Sequence, residues 1–290
     1  MIGKSFEKVI KWLIFTNIYI AIAAVCFQGI FYYINLGVDW YWPLSINTFF
    51  STWLVYQFSR YSFHKNYDVG PDAQKDEIYQ FVDKHQSFTK ISIVLALIGT
   101  IISCFYLRIE TLLFIGGLGL VSLLYPLKFG SYSLRSVPFI KIFIIAFVWS
   151  STAVWVPFIE IRYDAYWYEY LLHFSFFFLF ILFITLPFDI NDIDVDHKTG
   201  VKTIPALLGI DKTNKLIRLL GVILTILSVL IFQDTLFLIF IILLIMVLGM
   251  YAIKYAQQIE KWKVMAIYDG AMILLYLVIM GYVELTLFIL

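Results

Sequence analysis

Nine apolar stretches separated by polar or charged connections make up most of the chain: about 9–34, 44–61, 89–108, 111–127, 138–159, 168–188, 215–232, 234–254 and 264–288. Runs near 20 residues without alternation are long enough, or nearly so, to cross about 30 Å of hydrocarbon as helices. In a bilayer no water reaches lone backbone groups, so spanning segments are helices or a closed barrel, and the missing alternation selects helices. The pattern predicts an all-α polytopic membrane protein of nine transmembrane helices. Spans one to four and five to eight can be set against each other as two four-helix halves with the ninth added, a topological suggestion only. No linker or low-complexity boundary interrupts residues 1–290, which read as a single transmembrane domain.

Composition agrees. Of the 290 residues, 62% are hydrophobic and 14% charged, and mean hydropathy is +0.88; a soluble domain is nearer half apolar and a quarter charged. Lys4, Lys8 and Lys11 precede a first apolar run that continues to about Ile34, too long for a cleaved signal, so it reads as a retained span. The segments after spans two, four, six and eight, with the N-terminus and the span ends that adjoin them, hold all but two (Arg108 and Arg162) of the 21 Lys and Arg. That asymmetry predicts a cytoplasmic N-terminus and an external C-terminus. Without an Arg- and Ser-rich transit segment, a bacterial cytoplasmic membrane is the expected location. A net charge of +1 gives no argument for nucleic acid, and no obligate protein partner is evident beyond membrane lipids. Cys26 and Cys104 fall within spans and read as small packing residues. Trp40-Tyr41-Trp42 and Tyr166-Trp167-Tyr168 fit interfacial belts.

Directly after the sixth apolar run comes PFDINDIDVDHKTGVKTIP, residues 187–205. Asp189, Asp192 and Asp196 stand at i, i+3 and i+7, so on a helix they share one face within an arc of roughly 60°. Asp194 and Asn191 point elsewhere. Three carboxylates on one face repel one another unless a cation lies between them. Mg²⁺ takes oxygen ligands of this kind and leaves positions for substrate phosphates. Gly200 can end the helix, and Lys202 and Thr203 follow within reach of an anion. The competing reading is a solvated acidic turn between two helices.

The arrangement Asp-x-x-Asp-x-x-x-Asp-x-x-x-Gly-x-x-Thr-x-Pro, carried by Asp189, Asp192, Asp196, Gly200, Thr203 and Pro205, resembles the second aspartate-rich motif of the UbiA superfamily of intramembrane prenyltransferases. Tyr125, Pro126, Leu127 and Lys128 resemble the Tyr-x-x-x-Lys element after the family's fourth helix, with one intervening residue fewer. Lys128, Arg135 and Lys141 put cations on the same face as the aspartates, where they can neutralise a diphosphate or simply follow the positive-inside rule. Lys128, beside the aromatic and proline turn, is singled out among them.

The departure from the family lies at the end of span two, where a first aspartate-rich motif that binds another Mg²⁺ usually stands. Here the stretch is NTFFSTWLVYQFSRYSFHK, without a carboxylate. Tyr56 and Arg60 stand at i, i+4, with Asn47 and Gln57 nearby. Two readings of Arg60 stand: a guanidinium that replaces a metal ion in gripping phosphate oxygens, or a membrane-edge anchor. Tyr56 is a hydrogen-bond donor, a general acid or a core residue, and Asn47 is a polar contact for substrate. Asp68, Asp72 and Asp76 are also four apart, but Gly70 and Pro71 lie between the first two and argue for a solvated loop. None of His64, His85, His173 and His197 is assigned a role.

The resemblance implies a Mg²⁺-dependent transferase that moves an isoprenyl group from a prenyl diphosphate to a lipophilic acceptor. Asp189, Asp192 and Asp196 would hold the metal, Asp192 and Asp196 with Arg60 and Tyr56 would act in catalysis, and Lys128, Arg135, Lys202 and Asn47 would bind substrate. A terpene cyclase or diphosphate lyase would use the same half-site. A transporter or prenyl-lipid-binding protein is the alternative of another class; it would need polar stations deep in the spans, for which Asp269 and Glu284 are the nearest candidates.

Overall fold

The computed structural model describes residues 2–33, 41–66, 77–125, 127–129, 132–133, 137–162, 166–232 and 235–289. The chain begins with α1 (Ile2–Phe15) and α2 (Ile18–Phe31), continues through α3 (Trp42–Asn66), α4 (Glu77–Lys84), α5 (Gln86–Cys104) and α6 (Ile109–Leu124), and then makes a two-residue antiparallel pairing of β1 (Lys128–Phe129) with β2 (Tyr132–Ser133). There follow α7 (Ile140–Ser150), a π-type turn (Ser151–Trp155), α8 (Val156–Ile161), α9 (Trp167–Asn191), α10 (Ile193–Thr199), α11 (Ile204–Leu208), α12 (Ile210–Ile231), α13 (Thr235–Tyr255) and α14 (Lys261–Ile289).

Each expected apolar segment is helical over most of its described residues, and among these residues fewer than nine helices qualify as crossings by length and composition. Among the described residues six helices qualify, or seven when the pair Ser5–Phe15 and Ile18–Phe31, bent by 80°, is counted as one broken span. The two segments that fall short have physical reasons. Helix α6 has 16 residues, roughly 24 Å at 1.5 Å per residue. Helix α3 is long enough, yet it interleaves Asn47, Thr48, Ser51, Thr52, Gln57 and Arg60 with its apolar positions.

That polar side of α3 services the break between α1 and α2. A helix end leaves backbone carbonyls without intrahelical donors, and three side chains of α3 supply them. Trp53 and Gln57 donate to the Thr16 carbonyl at 2.8 and 2.9 Å. Arg60 donates to the carbonyls of Phe15 and Ile14 at 2.7 and 3.3 Å. Asn17, at φ 57°, makes the corner, and its amide donates to Gln57 Oε1 at 3.2 Å. The π-type turn is likewise tied in: Pro157 cannot donate to the preceding turn, and Gln28 donates to the Thr152 carbonyl at 3.0 Å while accepting from Thr48 at 3.2 Å.

The core is one aromatic-rich cluster running from Ile20 of α2 to Ile279 of α14, with Phe176, Phe177, Phe180 and Phe183 of α9 buried at its centre. Outward positions of α5, α12 and α13, among them Val94, Ile98, Val222, Ile226, Leu243 and Val247, are exposed apolar side chains, as lipid-facing surfaces require. Trp42, Tyr166, Trp167 and Tyr168 are exposed as well. Arg108 and Arg162, the two basic residues expected on the outer side, both bind Glu110, at 3.2 and 3.1 Å. Cys26 and Cys104 are free thiols.

Candidate active site

The acidic stretch is helical where it needs to be. Asp192 donates its amide to the Phe188 carbonyl and Asp196 to the Asp192 carbonyl, both at 2.9 Å. The i→i−4 ladder therefore passes through the junction of α9 and α10, which keeps the three aspartates at helical spacing. Gly200, at φ 73°, ends α10, and the Val201 amide turns back to the Asp196 carbonyl at 2.9 Å; a left-handed glycine closes many helices in this way. Asp189 and Asp196 are each 1% exposed.

Two lysines from other helices meet these acids. Lys141 in the first turn of α7 places Nζ 2.5 Å from Asp189 Oδ1 and 3.7 Å from Asp196 Oδ2. Its position follows from a backbone tie: Phe139, at φ 63°, donates its amide to the Lys202 carbonyl at 3.1 Å, so the start of α7 is pinned beside the end of the acidic stretch. Lys261, the first residue of α14, places Nζ 2.8 Å from Asp192 Oδ1. Asn191 is used differently. Its amide donates to the carbonyls of Ala256 and Ile259 at 2.8 and 3.0 Å, which docks the α13–α14 connection against α9.

Two cavities of about 220 Å³ each open from this region. The first carries Asp189, Asp192, Lys141 and Lys261 at one end and Ile20, Tyr56, Trp149, Asp269 and Met272 elsewhere along its wall. The second runs between α3, α6 and α7–α8, with apolar walls from Ile115, Leu118, Ile144 and Val148 studded by Ser51, Thr52, Ser59 and Ser122. Tyr56 and Trp149 line both. Trp149 donates its indole N–H to the Tyr56 hydroxyl at 3.2 Å, with the rings edge to face at 6.3 Å. This pair forms the wall between an ionic cavity and an apolar one.

The comparisons with known proteins bear on this architecture. A family model for the UbiA prenyltransferase family matches residues 83–279. The chain belongs to the UbiA prenyltransferase family. No curated protein matches it. Among solved structures, a UbiA homologue from Aeropyrum pernix K1 aligns over 89% of this chain and 98% of its own with a TM-score of 0.64 at 15% identity. A UbiA homologue from Archaeoglobus fulgidus bound to GPP and Mg²⁺ covers 92% of this chain and 96% of its own, with a TM-score of 0.61 at 11% identity. The same homologue bound to DMAPP and Mg²⁺ gives 0.59 at 10% identity, over 91% and 96%. At these identities the likeness is one of fold.

Membership in the UbiA family raises the question of whether the residues here fit a metal. Among the described residues no three His, Cys, Asp or Glu side chains converge as a ready cluster; the lysines spread the charge of the three aspartates instead. The donor chemistry nevertheless suits one hard divalent ion. Asp189 Oδ2 is buried without a hydrogen-bond partner among the described residues, and Asp189 and Asp192 line the same cavity. Carboxylates gathered in this way would repel a bare diphosphate and accommodate a metal–diphosphate pair.

Against the UbiA pattern, the side chains singled out in the sequence divide clearly. Asp189 and Asp192 reach the ionic cavity, with Asp196 behind them on Lys141. Tyr56 stands on the wall between the cavities. Asn47 lines the apolar cavity; its amide donates to Ser103 Oγ at 3.0 Å, and its Oδ1 is buried without a partner. Arg60 is held on the α1–α2 break. Lys202 contributes its backbone carbonyl to the pinning of α7, while its side chain is exposed and lines neither cavity. Lys128 has its backbone in β1 and its side chain outside the described residues. Arg135 and the Asp68, Asp72 and Asp76 series lie outside them altogether. Among the described residues the acids are met by Lys141, which the sequence offered beside Lys128, and by Lys261, for which no local pattern gave a signal.

Proposed function

We propose that this UbiA-family protein is a Mg²⁺-dependent prenyltransferase that moves an isoprenyl group from a prenyl diphosphate to a lipophilic acceptor within the membrane. The observation that carries the reading is the convergence of Asp189, Asp192, Lys141 and Lys261 at one end of a cavity that is otherwise largely apolar. Solved UbiA homologues bound to Mg²⁺ with DMAPP or GPP support it.

Asp189 and Asp192, with Asp196 behind them, would hold the metal, which withdraws charge from the diphosphate leaving group. Lys141 and Lys261 complete the neutralisation of the diphosphate oxygens. The aromatic faces of Tyr56 and Trp149 stand where an allylic cation would pass, and each ring can stabilise it by cation–π attraction. The apolar cavity beyond them accepts the hydrocarbon chain. The excess of Lys and Arg around the acidic stretch supports an ionic end on the cytoplasmic side.

The test is turnover of geranylgeranyl diphosphate by the purified protein with Mg²⁺ or with EDTA, in the wild type, Asp192→Asn and Asp189→Asn. Diphosphate release that needs Mg²⁺ and falls at least 100-fold in either variant supports the reading. Binding without release marks a prenyl-lipid-binding protein on this scaffold, and absence of both overturns the enzyme.

A further inference from the structure

Asp269 of α14 is a carboxylate that neither the acidic motif nor its lysine partners explain. It is 6% exposed and lines the ionic cavity. Neither a hydrogen bond nor an ion pair engages its carboxylate among the described residues. Such a group is costly in a membrane helix, and those that persist serve a function. The charged and titratable groups around it are Tyr19 of α2 and Tyr56 and Arg60 of α3, which interact with it electrostatically. The Arg60 guanidinium donates to the Phe15 and Ile14 carbonyls, and the Tyr19 hydroxyl to the Ala266 carbonyl at 2.9 Å.

Its depth is informative. Lys261, Met265, Asp269 and Met272 all line the cavity from one side of α14. Eight residues of helix separate Lys261 from Asp269, roughly 12 Å along the axis. Lys261 stands at the diphosphate end, so Asp269 stands well beyond it on the apolar side. An acceptor attacks the allylic carbon from the side away from the leaving group, with the reacting atoms about 3–3.5 Å apart. Diphosphate, allylic carbon and attacking atom, set in line from Lys261, bring the attacking atom toward the level of Asp269.

Resting on the transferase reading, we propose that Asp269 is the general base that takes the proton released when the acceptor is alkylated, so that the acceptor is one that must lose a proton on alkylation. The C1–O bond of the prenyl diphosphate breaks with its electron pair leaving on the diphosphate. A lone pair or π pair of the acceptor forms the new bond to C1. The proton that the acceptor loses goes to a carboxylate oxygen of Asp269.

The test separates ionisation from capture, with water as the acceptor actually present. Full-length protein in lipid nanodiscs is given Mg²⁺ and geranylgeranyl diphosphate carrying ¹⁸O at the bridging position. Scrambling of the label in recovered substrate reads C–O ionisation, and geranylgeraniol reads capture. For Asp269→Asn the expected result is scrambling within about twofold of wild type, with geranylgeraniol down on the order of 100-fold. Azide, which attacks without a proton to lose, restores capture as geranylgeranyl azide. Asp269→Ser repeats the test in a smaller side chain, and either variant decides it. Unchanged geranylgeraniol, or scrambling and capture falling together with no rescue by azide, overturns the base. A wild type that neither scrambles label nor releases diphosphate overturns the transferase reading and this inference with it, a result distinct from a variant that matches an active wild type.

Discussion

The Lys141 ammonium lies 2.5 Å from Asp189 Oδ1, between two helices whose sequence positions are 48 residues apart. Asp189 is 1% exposed and its other oxygen has no hydrogen-bond partner among the described residues, so among them Lys141 compensates most of the charge on a buried acid. The pair locks the start of α7 onto the end of α9, and in the proposed function it would set the charge that an incoming metal–diphosphate pair meets.

Replacing Lys141 by Met leaves Asp189 buried and unpaired. Removing one partner of a buried ion pair costs about 3–5 kcal/mol. Lys141→Met is expected to lose that much stability in denaturation measured in detergent, and Lys141→Met with Asp189→Asn to regain most of it. A single variant as stable as the wild type would show that Asp189 is not compensated by Lys141.

Lys261 differs, because it is partly exposed and its pair with Asp192 contributes little to folding, about 0–1 kcal/mol. Lys261→Ala is expected to melt within a few degrees of wild type and to raise KM for geranylgeranyl diphosphate about tenfold or more, with a smaller change in kcat. An unchanged KM would remove Lys261 from the diphosphate site.

Arg60 binds two carbonyls at the end of α1. Hydrogen bonds from a charged donor contribute about 1.5–3 kcal/mol, so Arg60→Ala is expected to lower stability by that order. Turnover per folded molecule should remain within about threefold of wild type. Abolished diphosphate release in a well-folded Arg60→Ala protein would instead assign Arg60 to the role of the absent first motif.

Tyr56 accepts the Trp149 N–H through its hydroxyl and offers the ring to both cavities. Tyr56→Phe is expected to cost about 1 kcal/mol in stability and to keep activity within tenfold, whereas Tyr56→Leu, which removes the π face, lowers kcat further. Equal losses in the two variants would place the role in the hydroxyl and make Tyr56 a proton donor.

The structure shows where each signal was readable. The spacing of Asp189, Asp192 and Asp196 is a property of 8 consecutive residues, and once the helix continues through Asp192 their common face follows. The polar side of α3 was equally visible, yet its use was not: Trp53, Gln57 and Arg60 turn to the α1–α2 break, a bend that a continuous apolar run from about 9 to 34 does not announce. Lys202 sits in the motif, but its exposed side chain does less than its carbonyl, which pins Phe139.

By itself, then, the sequence determined that this is a helical membrane protein with an acid face at the end of its sixth apolar run, because hydropathy over 20 residues and spacing along one helix are local quantities. Only the tertiary structure decided that Lys141 and Lys261 meet those acids, that Arg60 serves a helix end, and that Asp269 faces the same cavity as Asp189 and Asp192. Those relationships join residues 45 to 80 positions apart, and helix packing brings them together through side chains whose own neighbours in sequence carry no trace of the encounter.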